Sequence, residues 1–288
     1  MRLCFRSLLP LLRELRGVVA PAQPLSGLSR AVVVGLARSG TAAALALRGA
    51  GVSVIGVDAD AARDVGRLRK AGVEVLLGAG IEPGVLDGVD VVIKSPGVPS
   101  GELLVECARI AGMPVWSEIE LGARLLPQPV LGVTGTNGKT TTAELLGAIF
   151  RASGRRVVVA GNIGLPLSAV EPDNHPDAEV VCELSSFQLE DIVQFQAQVA
   201  VLLNVTPDHL DRHKSFEAYK AAKLRIFENQ GSDDVAIVPA GFGSVPGDAE
   251  KLEFSSDESL PAKLSLPGPH NHANGVAASL AARVRGIP

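Results

Sequence analysis

Cysteine is scarce. Cys4, Cys107 and Cys182 are the only three in 288 residues, an odd number, widely separated and never in a short-spacing pair. That pattern argues against a disulfide framework and against a cysteine-based zinc site; Cys182, inside an apolar run, reads as core. No uncharged apolar stretch reaches the roughly 18 residues needed for a membrane-spanning helix. Near the amino terminus Arg2, Arg6, Arg13 and Arg16 are spread among leucines, and no long hydrophobic segment with a cleavage site follows them. Residues 1–29 therefore read as a leader or helix, packed locally or loosely attached, with a membrane-surface helix or a transit-like segment as alternatives. Positive charge is not in excess: 27 Lys and Arg stand against 31 Asp and Glu, for a net charge of -4. A chain that binds by neutralising phosphates concentrates positive charge, so no nucleic-acid partner is expected. Internal repeats and extended low-complexity segments are also missing, and the cytoplasm is the default location.

What is present is a 47% hydrophobic content and a length that suits two ordinary domains of about 150 residues each. The first, 30–125, opens with an apolar strand at 31–34. A small-residue turn follows at 35–40, then an Ala/Leu-rich helix towards Gly49. Further strands are expected at 52–58, 73–77 and 89–93. Such alternation with helices implies a mostly parallel, Rossmann-like α/β sheet. Ala37 stands where a G-x-G-x-x-G turn asks for its middle glycine, which weakens a dinucleotide reading. Asp58 ends its strand and suits either a ribose or base contact or simple strand termination. Ser95-Pro96-Gly97 follows a strand, where it either positions a ligand or makes a tight turn. Pro127 and Pro129 disfavour a continuing helix and place a boundary near 125–130.

The second domain, 130–288, carries the most specific local signal. A strand at 130–133 leads into Gly135-Thr136-Asn137-Gly138-Lys139-Thr140-Thr141 and a helix expected over 142–152. In a phosphate loop, glycines bring backbone N–H groups close to phosphate oxygens and the lysine supplies a cation. Val133 replaces the first glycine of the common pattern, making this a variant loop. Thr140 or Thr141 suits Mg²⁺ through its hydroxyl, and the other threonine suits a helix cap. A strand at 180–182 delivers Glu183 to the same end of the sheet, as a candidate metal ligand. A strand at 199–203 leads towards His209, a candidate for a second cation, while Asp211 and Arg212 suit substrate or loop organisation. Asn162 follows a strand at 157–159. The stretch 231–262 reads as a surface connection around a short strand at 235–238, and a helix is expected over 273–284.

Taken together, GVTGTNGKTT at 132–141, GNIG at 161–164, ELSSFQLE at 183–190, TPDHLDRH at 206–213, YKAAKLRIFEN at 219–229 and PGPHNHANGVAA at 267–278 resemble the Mur ligase family over residues 30–288. The 183–190, 208–213 and 221–229 segments point to its D-glutamate-adding branch. The resemblance implies ATP and Mg²⁺ as cofactors, and UDP-N-acetylmuramoyl-L-alanine and D-glutamate as substrates. In the implied reaction the substrate carboxylate attacks the γ-phosphorus of ATP. The resulting acyl phosphate is then opened by the D-glutamate amine. By the same resemblance Gly135 to Thr141 cradle ATP, and Lys139 meets its β/γ-phosphates. Asn271 contacts adenine. Thr140 or Thr141 and Glu183 serve magnesium, and His209 serves a second magnesium. Lys223 is the lysine that becomes carbamylated and helps organise metal. Asn162 contacts the muramoyl group; Ser39, Gly40, Asp58, Ser95, Pro96 and Gly97 serve the UDP end.

The resemblance further implies that the ATP-binding sheet continues beyond residue 288 and that a D-glutamate-binding domain follows. At most weak catalysis is therefore expected from these residues alone. A folate-polyglutamate-type ligase and a noncatalytic nucleotide-binding fragment are the alternatives.

Overall fold

A computed structural model describes residues 25–173, 175, 177–260 and 264–288. The leader or helix expected within 1–29 lies outside the described residues up to position 24.

Two parallel sheets follow one another along the chain. The first is built from β1 (Arg30–Val34), β2 (Ser53–Asp58), β3 (Glu74–Leu77), β4 (Val91–Lys94) and β5 (Val115–Ser117), in the order β3-β2-β1-β4-β5. Around it lie α1 (Arg38–Gly49), α2 (Gly66–Lys70), α3 (Leu103–Ile110) and α4 (Glu118–Leu125). β1, β2 and β4 are short Val/Ile-rich runs buried on both faces, as strands covered by helices must be: Ala31, Val33 and Ile93 pack towards α1, while Val32, Val34 and Val92 pack towards α3. After β1 the chain crosses to β2 on one side and later to β4 on the other. A crevice therefore opens at the carboxyl ends of β1 and β4, where open α/β sheets take their ligands.

The second sheet contains β6 (Val130–Thr134), β7 (Arg156–Gly161), β8 (Ala178–Glu183), β9 (Val199–Leu202), β10 (Val235–Pro239) and β11 (Glu250–Phe254), ordered β11-β10-β9-β6-β8-β7. Its helices are α5 (Lys139–Ala152), α6 (Ser186–Leu189), α7 (Leu210–His213), α8 (Phe216–Leu224) and α9 (Pro269–Val284). β6 is flanked by β8 and β9, so the carboxyl ends of these three strands deliver the phosphate loop, Glu183 and Asn204 to one edge. α5 and α9 cover one face through Leu146, Phe150, Val276, Ala277 and Ala281.

The structure departs from the sequence-based expectations in several places, the unexpected strand β5 among them. α5 begins at Lys139 instead of 142, because Gly138 occupies the N-cap in a left-handed conformation, φ 87°; both threonines therefore lie inside the first turn, and neither caps it. α1 begins at Arg38, so Ser39 and Gly40 belong to a helix and not to the preceding turn. α9 starts at Pro269, a residue suited to the first helical position because its missing N–H would have no partner there. Residues 250–254, read as surface connection, form an edge strand whose Glu250, Lys251 and Glu253 face solvent while Phe254 is buried. Charge on an edge strand blocks further pairing and conceals the strand from a hydrophobic pattern.

Candidate active site: a phosphate loop beside a cleft

The phosphate loop is assembled from neighbours distant in sequence. Asn204, at the end of the β9 strand run, accepts from Asn137 N at 2.9 Å and donates to Asn137 O at 3.0 Å. The Thr136 hydroxyl donates to Thr206 O at 3.1 Å, accepts from Thr206 N at 3.0 Å and lies 3.1 Å from the Tyr219 hydroxyl. Gly138 leaves room for Asn274 of α9: a Cβ at position 138 would sit 2.3 Å from Asn274 Oδ1. Asn271, one turn earlier on α9, donates to Pro267 O at 2.9 Å and is half-buried.

Lys139 donates to Gly135 O at 3.0 Å and Thr136 O at 2.9 Å, and Lys223 of α8 donates to Gly135 O at 2.7 Å. Burial lowers the Lys139 ammonium from its usual range, against the pull of Glu183 and Asp208. Lys223 is lowered to about 7, first by burial and then by the charge of Lys139. Desolvation and a like charge both disfavour an ammonium, so the two act together here.

Thr140 is exposed, and its hydroxyl donates to Glu183 Oε2 at 2.7 Å. The other carboxylate oxygen of Glu183 accepts from Asn162 Nδ2 at 3.0 Å, and Asn162 O accepts from Arg38 at 3.0 Å. Gly161 makes this possible: its φ is 110°, and a Cβ there would lie 2.2 Å from Glu183 O. A Mg²⁺ ion takes oxygen ligands, keeps several waters and is commonly held by one or two protein oxygens together with substrate phosphates. The Thr140 hydroxyl and the Glu183 carboxylate are a donor set of that kind. Among the described residues no group of three or more His, Cys, Asp or Glu side chains forms a cage for a metal. His209 stands apart, half-exposed with φ 50°, its ring 5.2 Å from Phe187 and its Nε2 3.6 Å from Asp208. Thr141 is half-buried beside Thr140.

From Asn162 the arrangement passes into a cleft of about 630 Å³ at the carboxyl ends of β1, β2 and β4. Ser39, Asp58, Ser95, Pro96, Gly97 and Asn162 all line it. Gly40 lies beneath, where a Cβ would be 1.7 Å from Gly35 O, so its part is to let α1 approach the turn. Asp58 holds that turn: Oδ2 accepts from Leu36 N at 2.6 Å and sits 3.3 Å from Arg63 Nε. Its carboxylate is largely occupied by the protein itself.

Sequence reasoning missed Gln188, which also lines the cleft. Its Oε1 accepts from Ser185 N and Oγ, each at 2.9 Å, in a capping box at the start of α6. Its buried Nε2 has no partner among the described residues. A buried donor left unpaired is costly, and its residue is one of those that line the cleft. Beyond its place in ELSSFQLE at 183–190, the sequence signal was the Ser185-x-x-Gln188 spacing of a capping box.

Residues 133–243 match the family described as the Mur ligase middle domain. The UDP-N-acetylmuramoylalanine--D-glutamate ligase of Anaeromyxobacter dehalogenans is 42% identical over 301 residues, covering 90% of this chain and 64% of its own length. That of Salinibacter ruber is 41% identical over 297 residues, covering 89% and 64%. The chain thus spans a little under two thirds of the length of these curated relatives. Among solved structures, the fold is shared with a UDP-N-acetylmuramate:L-alanyl-gamma-D-glutamyl-meso-diaminopimelate ligase from Neisseria meningitides, with a TM-score of 0.61, 22% identity and coverage of 91% of this chain and 95% of that one. It is shared also with a UDP-N-acetylmuramate-alanine ligase from Thermotoga maritima, with a TM-score of 0.53, 22% identity and coverage of 89% and 65%. With the variant phosphate loop, the Glu183–Asn162 connection and the matched middle domain in hand, the chain belongs to the Mur ligase family.

Proposed function

We propose that this chain carries the ATP site and the sugar-nucleotide site of a cytoplasmic ligase that joins D-glutamate to UDP-N-acetylmuramoyl-L-alanine in peptidoglycan precursor synthesis. The observation that carries the reading is the continuous path from Thr140 through Glu183 and Asn162 to the cleft. In this reading a ligand seated in the cleft ends beside the phosphate loop, where its carboxylate meets a γ-phosphate.

In this reading residues 30–125 form the UDP-substrate domain and 130–288 the ATP-binding domain. The backbone amides from Gly138 to Thr141 and the Lys139 ammonium face the phosphates of ATP, while those of Thr136 and Asn137 are bonded to Asn204, and Asn271 meets the adenine. Lys139 is held by two loop carbonyls, so nucleotide binding exchanges these for phosphate oxygens, a stronger charge-assisted contact. Thr140 and Glu183 hold Mg²⁺, with His209 and a carbamylated Lys223 serving a second cation. The metal supplies charge neutralisation on the transferring phosphoryl group. Ser39, Ser95, Pro96 and Gly97 receive the UDP end, while Asn162 and Gln188 hold the muramoyl end. The substrate carboxylate then displaces ADP from the γ-phosphorus, and the amine of D-glutamate displaces phosphate from the acyl phosphate.

Calorimetric titration of the folded chain with UDP-N-acetylmuramoyl-L-alanine, in the presence of a nonhydrolysable ATP analogue and Mg²⁺, tests this. Saturable binding is expected, together with loss of analogue binding in Lys139→Ala. A folded chain that binds the analogue but not the sugar nucleotide would point to a different acceptor; one that binds neither would be a noncatalytic fragment.

A further inference from the structure

Lys94 ends β4 immediately before the Ser95-Pro96-Gly97 turn on the cleft wall, and its side chain is fully buried. A lysine is almost never fully buried unless paired. Its partners belong to the second sheet's side of the cleft: Asp191 Oδ2 lies at 2.8 Å and Glu190 Oε2 at 3.4 Å. The contact with Asp191 is an ion pair by distance rather than an aligned hydrogen bond. Lys94 also donates to Ser100 Oγ at 3.2 Å, and Ser100 donates in turn to Glu190 Oε2 at 2.8 Å. Both acids follow Gln188 by a few residues, so the ammonium fastens the end of α6 to the end of β4.

We propose that Lys94 is a positioning residue for the cleft: it holds the wall bearing Gln188 at a fixed distance from the wall bearing Ser95, Pro96 and Gly97. This rests on the reading of the cleft as the sugar-nucleotide site. Other ties between the two sides do not involve Lys94. Ser117 N donates to Asp191 O at 2.8 Å, Arg212 donates to Val98 O at 3.3 Å, and Glu120 accepts from Val193, Gln194 and Phe195 N at 2.7–3.1 Å. Arg109 remains on Asp191 at 2.5 Å, and His213 on Glu190 at 3.2 Å. Neither acid is stranded when Lys94 is removed, so the consequence is a local loosening and not separation of the two sheets.

A ligand confined to the β1–β4 wall is indifferent to that loosening, whereas one that spans to Gln188 is not. The experiment compares UDP with UDP-N-acetylmuramoyl-L-alanine by calorimetry on the full chain, as wild type, Lys94→Met, Asp191→Asn and the double variant. Lys94→Met and Asp191→Asn are expected to keep UDP affinity and to lose about tenfold for the longer ligand, the loss of roughly one buried hydrogen bond. The double variant is expected to lose less than the sum of the two single losses, because the Lys94–Asp191 pair is common to both. If Lys94→Met fails to fold, Asp191→Asn carries the comparison alone. Equal weakening of both ligands, or no weakening of the longer one, overturns the positioning role while leaving the site reading intact. A wild-type chain that binds neither ligand overturns both.

Discussion

Lys139 and Lys223 donate to the same carbonyl oxygen, that of Gly135, at 3.0 and 2.7 Å. One acceptor thus draws a half-buried and a buried ammonium group together, and the second of them has its pKa lowered to about 7. At mildly alkaline pH the Lys223 amine is therefore mostly neutral, without any change in structure.

A neutral amine is the form that adds carbon dioxide, giving a carbamate and releasing a proton. With ¹³C-bicarbonate, a carbamate carbon signal is expected to grow as pH rises from about 6 to about 8, following a group of pKa near 7, and to be missing in Lys223→Met. A spectrum identical in the two proteins would rule this out. The sign for stability follows from the same shift. Between about 7 and the ordinary lysine value of 10.5 the unfolded chain binds more protons than the folded one, so this group's contribution to stability rises with pH across that window.

Glu118 behaves in the opposite sense. It is fully buried at the start of α4; Oε1 accepts from Ser168 N and Oγ, each at 2.6 Å, and Oε2 has no partner among the described residues. Burial raises its carboxyl pKa, against the hydrogen bonds from Ser168 and the charge of Arg38. The folded chain then holds a proton that the unfolded chain releases. Stability from this group is full below the ordinary value of 4.5 and is lost as pH rises through the higher folded value. Glu118→Gln keeps an acceptor for Ser168 and removes the titration. Melting followed by circular dichroism should show the variant gaining on wild type as pH rises above the ordinary value of 4.5; parallel curves would contradict the assignment.

What the sequence revealed depended on whether the residues of a site lie together in the chain. The phosphate loop does, and its strand, glycines, lysine and helix are readable because one short segment supplies all four. Glu183 and Asn162 were recognisable as strand-end residues, although the hydrogen bond between them depends on β7 and β8 being neighbours. Lys94 gave no comparable signal, and Gln188 and Asn274 stood inside the 183–190 and 267–278 segments without any sign of their own roles. A lysine at the end of an apolar run looks like the point where the strand meets water. Only the acids at 190 and 191, brought in from the other sheet, explain its burial. β11 was hidden for the reverse reason, since its solvent-facing charges are what keep the edge from pairing.

Asn274 also lies against the phosphate loop from a distant part of the chain. Gly138 has φ 87°, and a Cβ there would meet Asn274 Oδ1 at 2.3 Å. Two costs are therefore combined in Gly138→Ala: a backbone cost of about 1–2 kcal/mol for a left-handed alanine, and a steric cost set by the asparagine. Only the second can be relieved from α9. In urea unfolding, Gly138→Ala should lose more stability than the backbone cost alone, and adding Asn274→Ala should recover the excess. The two substitutions would then be non-additive, as expected for residues in contact. Additive losses would mean that the loop moves away from α9 when the methyl group is introduced. Nucleotide affinity measured in the same variants separates the two effects: relief of the clash restores stability, but the strained residue at 138 still turns its amide away from the phosphates. The double variant is expected to fold well and bind ATP poorly, which would place the glycine's role in the loop's backbone geometry and the asparagine's in the packing behind it.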